Sequence, residues 1–378
     1  MGSEPRDTSD LKVGLRAIAF YLPQFHPTPE NDRWWGKGFT EWANVAKAHP
    51  LFPGHYQPHL PADLGFYDLR LPETRAAQAE LAGAYGLSGF CYYHYWFHGR
   101  RLLGRPFDEV LTSRAPALPF CLCWANESWT RRWDGRSGEI LLQQEYSSAD
   151  DSAHIEYLLS VFADDRYIKV HGRPVFLVYR AELLPDARKT TDTWRERAYT
   201  AGFAGLYLVA VEGHNAISDP IGLGFDATVE FAPDWRVLTR ASPLRADDSI
   251  GARLLRRLGR RAGNSERQSF KVYRYQDLVD LMLAKAAPLH KRLRCVTPGW
   301  DNSARRGQRA LVFHASTPKA YGQWFRQAIE TTCRDYQSDE RIVFVNAWNE
   351  WAEGAHLEPD QRWGVRYLEE TQQALKQK

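Results

Sequence analysis

Two glutamates near the end of the chain have the spacing and the surroundings of a catalytic pair. Glu350 and Glu353 lie three positions apart in the stretch WNEWAEG, residues 348–354, with Trp351 between them. Paired carboxyl groups cleave or transfer glycosidic bonds, because one donates a proton to the leaving oxygen while the other acts as nucleophile or base. Glutamates at this spacing also share a face of many exposed helices. The apolar run RIVFVNAWNE, which leads directly into the pair, makes the exposed helix the less favoured interpretation.

The aromatic content favours a carbohydrate as the substrate. The chain has 14 Trp, 18 Tyr and 18 Phe among 378 residues, and many of the tryptophans lie in polar segments that contain glycine. Aromatic rings in clefts bind the CH faces of sugars, although large proteins also bury tryptophan in their cores. The net charge of +3 is too small to predict a nucleic-acid partner. We therefore expect an oligo- or polysaccharide partner and no nucleic acid.

An alternation of strand-like and helix-like segments indicates the fold that positions these residues. Eight short apolar runs are candidate strands, at residues 15–23, 89–96, 119–126, 173–180, 205–213, 226–233, 293–302 and 341–350. Helical patterns separate most of them, for example at residues 72–86, 150–164 and 317–336. Apolar strands joined by helical crossovers predict a parallel sheet buried on both faces. Eight such units predict an α/β fold of the (β/α)8 TIM barrel type, and no G-x-G-x-x-G follows the first strand. We expect residues 15–378 to form a single catalytic barrel after a disordered tail of residues 1–14.

Two long loops interrupt the alternation. Residues 24–71 follow the first strand and are rich in Pro, His and Trp, which favours a functional loop over a disordered one. Residues 240–270 follow the sixth strand and carry many arginines. We interpret this second loop as a solvated, partly helical insertion. The alternative is a patch that contacts the anionic groups of a phosphorylated carrier or an anionic glycan.

Polar and aromatic residues gather where the predicted strands end. In a TIM barrel the active site lies at the carboxyl ends of the strands, so these residues are candidates for sugar contacts. From this position we predict that substrate is bound by Tyr93, His94, Trp124, Asn126, Glu127, Glu230, Asn349 and Trp351. For each of them, the alternative is a side chain buried within the barrel core.

The sequence favours neither a metal nor a disulfide framework. His26, His49, His55 and His59 are irregularly spaced in the first long loop, so we predict structural histidines, no metal and no cofactor. Five cysteines are an odd number and fall within predicted strands and a helix, which indicates free thiols in a reducing compartment. No run of about 18 apolar residues predicts a membrane span. The polar N-terminus lacks an apolar signal region, so we expect a cytoplasmic location, and the oligomeric state stays open.

Several long motifs resemble one family of carbohydrate enzymes. WNEWAEG resembles the NEWxEG signature that ends the last barrel strand in glycoside hydrolase family 99, the endo-α-mannosidases. The stretches FYLPQFHP, CYYHYWF and CWANE are similar to those of the WbsX-like proteins. Those relatives are often encoded with bacterial surface-polysaccharide biosynthesis and are described as glycosyltransferases. The resemblance runs from about residue 16 to about residue 370.

The resemblance implies a mechanism and roles for both glutamates. Family members retain anomeric configuration through a 1,2-anhydro sugar, which forms when a glutamate deprotonates the sugar 2-hydroxyl. Glu350 matches that base, and Glu353 matches the acid/base that protonates the leaving group and then activates water. The route needs a 2-hydroxyl trans to the leaving group, as in α-mannosides and α-rhamnosides. The mannosidase signature has His where this chain has Ala352, which leaves the sugar open.

Two functions remain after this comparison. The paired glutamates favour a retaining glycoside hydrolase that acts on manno-configured sugars of a polysaccharide. A glycosyltransferase in O-antigen, lipopolysaccharide or capsule biosynthesis is the alternative, although the chain has no D-x-D motif for a nucleotide sugar. The closest stretch, TTDTW at residues 190–194, has Asp192 as its sole acid. A glycan-binding barrel without activity is disfavoured because both glutamates are present.

Overall fold

A computed structural model describes residues 14–131, 136–213, 215–244 and 270–376 of the chain. Apart from Gly14, the predicted disordered tail lies outside these residues. Residues 245–269 of the predicted arginine-rich insertion also lie outside them.

The strands follow the order that the alternation of segments predicts. The described residues contain strands β1 (Arg16–Tyr21), β2 (Gly89–Phe97), β3 (Arg100–Leu102), β4 (Phe120–Trp124), β5 (Trp129–Arg131), β6 (Arg136–Leu142), β7 (Lys169–Val170), β8 (Arg173–Val178), β9 (Tyr207–Glu212), β10 (Ala227–Glu230), β11 (Lys271–Arg274), β12 (Arg292–Val296), β13 (Trp300–Asp301), β14 (Leu311–His314), β15 (Ile342–Val345), β16 (Asn349–Glu350) and β17 (Ala355–His356).

The helices fill the intervals between these strands. They are α1 (Pro29–Trp35), α2 (Trp42–Lys47), α3 (Pro72–Ala84), α4 (Arg105–Ser113), α5 (Ser148–Phe162), α6 (Ala187–Thr200), α7 (Tyr275–Leu283), α8 (Ser303–Arg306), α9 (Pro318–Asp335) and α10 (Arg366–Lys376). Short 3-10 turns cover Ala181–Leu183, Val237–Arg240, Gly307–Arg309, Ser338–Glu340 and Trp351–Glu353. The start of α9 illustrates local sequence control. The Thr317 side chain accepts a hydrogen bond from the Ala320 amide, and Pro318 takes the first helical position.

Eight parallel strands close into a barrel. In chain order they are β1, β2, β4, β8, β9, β10, β12 and β15, and each pairs with the next. The last strand returns to the first, with Ala17 opposite Val343. The predicted (β/α)8 TIM barrel is therefore confirmed, and each barrel strand lies within or next to one of the eight apolar runs. The prediction of a single domain over residues 15–378 stays a prediction.

Aromatic side chains fill the interior of the barrel. Phe20 of β1 contacts Tyr93 of β2, Phe231 after β10 and Phe344 of β15, with ring centroids 5.4–5.8 Å apart. These rings form an aromatic cluster inside the barrel, whose interior is a packed core and not a pore. Tyr93 and Phe231 of this cluster also line the cleft at the carboxyl ends of the strands.

The long loop after β1 is ordered and carries helices α1 and α2. The Thr28 side chain caps α1 by accepting a hydrogen bond from the Asn31 amide. Trp42 of α2 is buried and donates from its indole nitrogen to the Tyr67 carbonyl oxygen at 2.8 Å. Helix α2 packs against α8 and against the 3-10 turn Trp351–Glu353. The loop therefore lies over the same end of the barrel as the predicted catalytic pair.

The thiols and the helices of the described residues can also be compared with the sequence. Cys91, Cys121, Cys123, Cys295 and Cys333 are all free, and only Cys333 is partly exposed. Within the described part of the chain, no helix has both the length and the apolar character needed to cross a membrane.

Candidate active site

An aromatic cleft of about 480 Å³ opens at the carboxyl ends of the barrel strands. Its walls include four tryptophans and three tyrosines, which are Trp35, Trp129, Trp235, Trp300, Tyr93, Tyr95 and Tyr179. Three carboxylates, those of Glu127, Glu350 and Glu353, and two guanidinium groups, those of Arg305 and Arg306, also line it. Aromatic walls with a few converging polar groups are typical of a sugar-binding cleft.

The backbone beyond the eighth barrel strand presents Glu350 and Glu353 to this cleft. β15 ends at Val345, and the chain then forms the short antiparallel pair of β16 and β17, in which Glu350 lies opposite Ala355. Glu350 ends β16, and Glu353 ends the 3-10 turn that follows. The two side chains are 8% and 22% exposed, so they do not lie on a solvated helix surface.

Gly354 is required at the end of this turn. Its φ of 59° lies in the left-handed region that favours glycine. A Cβ atom at this position would lie 2.9 Å from the Asp301 Cβ and 3.0 Å from the Asp301 amide nitrogen. Close packing against β13 therefore fixes the turn that carries Glu353.

One arginine joins the two glutamates. Arg305 of α8 donates from Nη2 to Glu350 Oε2 at 2.9 Å and from Nη1 to Glu353 Oε1 at 2.6 Å. Its Nε donates to a third carboxylate, Glu41 Oε2, at 3.1 Å. The Arg305 side chain is 9% exposed and that of Glu41 is fully buried. A planar guanidinium with several donors suits this arrangement, because its donors point in different fixed directions.

The electrostatics of the pair favour retention of a proton. Burial raises the pKa of Glu350 to about 8; Arg305 opposes this shift, while the charges of Glu353 and Glu41 add to it. Burial also raises the pKa of Glu353; Arg305 opposes this shift as well, and the charge of Glu41 adds to it. Two carboxyl groups that interact this closely titrate as a pair. Near neutral pH the pair therefore holds a proton that an acid catalyst needs.

Side-chain alternation along β2 determines which of its residues reach the cleft. Tyr93 and Tyr95 line the cleft, whereas His94 points away from it. His94 lies under α5, where its Nε2 is 3.0 Å from Nε2 of His154 and its ring stacks on Tyr157. Alternate residues of a strand face opposite sides of the sheet, so neighbours in sequence separate in this way.

The predicted contacts at the end of β4, the third barrel strand, also separate into a residue that lines the cleft and residues that are buried outside it. Glu127 lines the cleft and forms an ion pair with Arg180. Trp124 is buried outside the cleft, with its indole nitrogen donating to the Trp96 carbonyl oxygen at 3.0 Å. Asn126 is fully buried as well, and its side chain bonds to both the amide and the carbonyl group of Arg180. Its position thus supports the backbone that carries the Glu127–Arg180 pair.

Glu230 also lies away from the residues that line the cleft. It ends β10, and its carboxylate is 3.3 Å from Lys285 Nζ and 3.4 Å from Arg294 Nη1. These ion pairs satisfy a carboxylate that is 3% exposed. Phe231, the next residue, lines the cleft instead.

Asn349 and Trp351 pack behind the segment that carries Glu350 and Glu353. Asn349 is fully buried and bonds to Leu22 at the end of β1, accepting from its amide at 2.7 Å and donating to its carbonyl oxygen at 3.0 Å. Trp351 stacks on His356 with 3.8 Å between ring centroids and donates to Glu358 Oε2 at 2.5 Å. Neither side chain is among those that line the cleft.

Glu358 connects these supporting residues to other parts of the chain. Its carboxylate also accepts hydrogen bonds from the Tyr67 hydroxyl at 2.8 Å and from Gln78 Nε2 at 2.6 Å. Burial raises the pKa of Glu358 to about 7, and these donors oppose the shift. The network ties the long loop after β1, helix α3 and the catalytic segment together.

One buried cluster in the described part of the chain has the composition of a metal site. The donor atoms of His59, His356 and Asp360 lie within 4.8 Å of one another. His59 Nδ1 is 2.9 Å from His356 Nε2, and His356 Nδ1 is 3.0 Å from the Glu358 carbonyl oxygen. These contacts fasten the long loop to β17. The sequence-based expectation of no metal stays a prediction.

Arg305 and Glu41 are among the residues of the site that the sequence-based prediction misses. Arg305 lies in α8, four residues beyond β13, and Glu41 lies in the long loop. A signal for the arginine exists, because two carboxylates buried together need a cation nearby. The basic pair Arg305–Arg306, which begins three residues after Asn302, is a candidate on that ground. No comparable pattern marks Glu41.

Solved structures share this fold over nearly the whole chain. A protein described as glycoside hydrolase-like aligns with a TM-score of 0.59 and 13% identity, over 100% of this chain and 98% of that one. The GH99 endo-alpha-mannosidase from Bacteroides thetaiotaomicron aligns with a TM-score of 0.56 and 15% identity, over 95% of this chain and 96% of that one. At these identities the likeness shows the common barrel fold.

Sequence relatives define the family. WxcX proteins from two strains of Xanthomonas campestris pv. campestris, one of them strain B100, are each 44% identical over 358 residues. The alignment covers 95% of this chain and 49% of each relative, so the chain spans about half the length of the curated relatives it matches. The family model described as glycosyltransferase WbsX matches residues 17–371. The protein therefore shares its barrel fold with the GH99 endo-alpha-mannosidase and belongs to the WbsX family.

Proposed function

We propose that the protein is a retaining glycoside hydrolase that acts on α-linked, manno-configured sugars of a polysaccharide, either mannose or rhamnose. The observation that carries this proposal is the convergence of Glu350 and Glu353 on one guanidinium in an aromatic cleft. The WbsX family assignment and the fold shared with an endo-alpha-mannosidase support it further.

In the proposed mechanism Glu350 is the base and Glu353 the acid. Glu350 accepts the proton of the 2-hydroxyl, whose oxygen attacks the anomeric carbon, while Glu353 donates a proton to the departing oxygen. Glu353 then removes a proton from water, whose oxygen attacks the anomeric carbon and opens the 1,2-anhydro sugar, while Glu350 returns its proton to the departing oxygen and restores the 2-hydroxyl. The raised pKa of both carboxyl groups means that the pair shares a proton near neutral pH, and the cycle starts from the form in which Glu353 carries that proton and Glu350 is ionised.

Tyr93, Glu127 and the cleft tryptophans are the proposed sugar contacts. Each lines the cleft, and strand-end position in the sequence also indicates Tyr93 and Glu127. His94, Trp124, Asn126, Glu230, Asn349 and Trp351 hold the walls and the catalytic segment in place, so their proposed contribution is indirect.

A glycosyltransferase of surface-polysaccharide assembly is the second candidate, and the description of the matching family favours it. The same two carboxyl groups serve both reactions if a sugar hydroxyl, rather than water, attacks the intermediate. The two functions then differ in the acceptor and share the residues that activate the donor.

Aryl α-glycosides test the proposal. We expect wild-type protein to release 4-methylumbelliferone or 2,4-dinitrophenol from aryl α-mannosides, α-rhamnosides or their disaccharides, and not from the 2-deoxy analogues. Glu350→Gln loses activity on both leaving groups. Glu353→Gln loses about 10²–10⁴-fold with the umbelliferyl glycoside and much less with the dinitrophenyl glycoside, which departs without a proton.

The controls separate the two candidate functions. Glu369→Gln changes an exposed glutamate of α10 and should leave every rate unchanged. If wild type releases no sugar to water but transfers it to a saccharide acceptor, hydrolysis is rejected in favour of transfer. Equal cleavage of the 2-deoxy substrate would contradict the role of Glu350 in both.

A further inference from the structure

Glu41 is a buried carboxylate of the active-site region that the proposed mechanism does not use. It lies just before α2, and its carbonyl oxygen accepts from the Asn44 and Val45 amides at 3.0 and 3.2 Å. Its side chain is fully buried and does not line the cleft, so it does not touch a bound substrate. One carboxylate oxygen meets Arg305 Nε at 3.1 Å, and the other is buried without a hydrogen-bond partner.

The position of Glu41 gives it a direct electrostatic effect on the catalytic pair. Arg305 brings one positive charge to three carboxyl groups, those of Glu41, Glu350 and Glu353. If all three were ionised, the cluster would carry a net charge of about −2 in a poorly solvated site, which is costly. A proton on one carboxyl group relieves this excess.

We propose that Glu41 is a positioning residue whose negative charge offsets part of the positive charge of Arg305. In this way Glu41 keeps one proton on the Glu350–Glu353 pair. Without Glu41 the guanidinium would act on the catalytic carboxylates alone and would favour their fully ionised form. The inference rests on the proposed function, because it assigns Glu41 to the same acid–base pair. It also gives the long loop after β1 a catalytic purpose beyond covering the barrel.

The other groups that face the pair do not titrate in the same range. Tyr93, Tyr95 and Tyr179 lie against it, and burial raises the pKa of each hydroxyl well above its ordinary value, so all three remain neutral. Arg306 lines the cleft and lowers the pKa of Glu353. Each of these groups keeps its charge state when Glu41 is changed. A shift of the profile in a Glu41 variant therefore reports on Glu41.

The pH–rate profile of kcat/KM in Glu41→Gln tests the inference. This profile should be bell-shaped, with an acidic and a basic limb. We expect both limbs to move to lower pH by about one unit in Glu41→Gln, because the loss of a neighbouring negative charge lowers the pKa of each carboxyl group. Glu41→Asp retains the charge and should keep the wild-type limbs even if its rate is lower. Glu212→Gln is the matched control, because Glu212 is also buried but pairs with Arg236 and His290 instead. A Glu41→Gln rate that falls equally at every pH, with unmoved limbs, would reduce Glu41 to a packing role.

A titration without substrate separates this inference from the proposed function. Carbon-13 NMR of protein labelled at the glutamate carboxyl carbons follows Glu350 and Glu353, assigned through their Gln variants. The pair should retain a proton near neutral pH in wild type and lose it at lower pH in Glu41→Gln. If Glu41→Gln does not fold, the wild-type spectrum still decides, with the Glu41 signal assigned by its absence from Glu41→Asp. Protonation of Glu41 within the range where the pair titrates would overturn the inference. Absence of sugar release by wild type would instead reject the proposed function and leave this titration unaffected.

Discussion

Carboxyl groups buried side by side are destabilising unless a cation accompanies them. Glu350 and Glu353 meet this requirement through Arg305, which is itself nearly buried. Both glutamates are conspicuous in the sequence because they flank a tryptophan at the end of an apolar strand. Arg305 is not, because its importance follows from charges that only the fold brings together.

Replacement of Arg305 should cost stability in a pH-dependent manner. Arg305→Met leaves buried carboxylates without their cation, and we expect the free energy of unfolding at pH 8 to fall by about 3–5 kcal/mol. At pH 5 the loss should be smaller, because protonated carboxyl groups tolerate burial better. Denaturant titrations at both pH values measure the difference. Arg305→Lys keeps the charge but lacks the fork of donors, so partial recovery is expected. Equal losses at both pH values would indicate that packing, and not charge, dominates.

At the scale of single elements, the 3-10 turn Trp351–Glu353 decides where Glu353, the proposed acid catalyst, lies. The turn ends at Gly354, which packs against β13, and begins at Glu350 in β16. Asn349 and Glu358 hold the same segment against β1 and the long loop. Rigid support of this kind keeps both carboxyl groups in one geometry.

Two glycine variants distinguish close packing from backbone strain. Gly354 and Gly364 have similar φ values of 59° and 54°, but of the two only Gly354 has neighbouring atoms within 4 Å of the place that an added Cβ would take. We expect Gly364→Ala to cost about 1–2 kcal/mol of unfolding free energy from left-handed strain alone. Gly354→Ala should cost more and should also reduce kcat, because Glu353 moves with the turn. Chemical denaturation and kinetics on the same variants check this; an equal cost at both positions would contradict the packing argument.

At the scale of the whole molecule, the closed barrel buries both faces of its parallel sheet. The burial that stabilises the barrel also raises the pKa of the acidic groups at its mouth. The protonation of these groups and the stability of the fold are therefore linked.

Stability should decrease from pH 7 to pH 8.5 through Glu350. Burial raises the pKa of Glu350 to about 8, above its unfolded value near 4.3, so the folded state holds a proton that the unfolded state lacks. That stabilisation is complete below the unfolded pKa and is lost as the pH rises through 8. Histidines whose pKa burial lowers, such as His94 and His154, are largely neutral in both states above pH 7 and contribute little there.

Calorimetry of wild type and Glu350→Gln measures this contribution. The wild-type Tm should fall more steeply than that of Glu350→Gln between pH 7 and pH 8.5, and Glu369→Gln should follow wild type. Parallel curves for wild type and Glu350→Gln would exclude Glu350 as the source.

The sequence by itself determined the barrel and the position of the proposed catalytic pair. Apolar periodicity and chain order are local properties, so the eight runs predict eight barrel strands in sequence order. The end of the eighth run then places Glu350 and Glu353 at the mouth. Tyr93 and Glu127 follow from the same logic, because both lie at strand ends and line the cleft.

Only the tertiary structure decided which strand-end side chains face the cleft. Both faces of a parallel sheet are buried, so an apolar pattern does not separate the barrel interior from the helix-facing side. Tyr93 and His94, or Glu230 and Phe231, are equivalent to such a pattern and point in opposite directions in the fold. The Arg305 cluster depends on tertiary structure for a different reason. Arg305 is separated from Glu41 by 264 positions and from Glu350 by 45, and charges that distant in sequence meet only when the barrel closes.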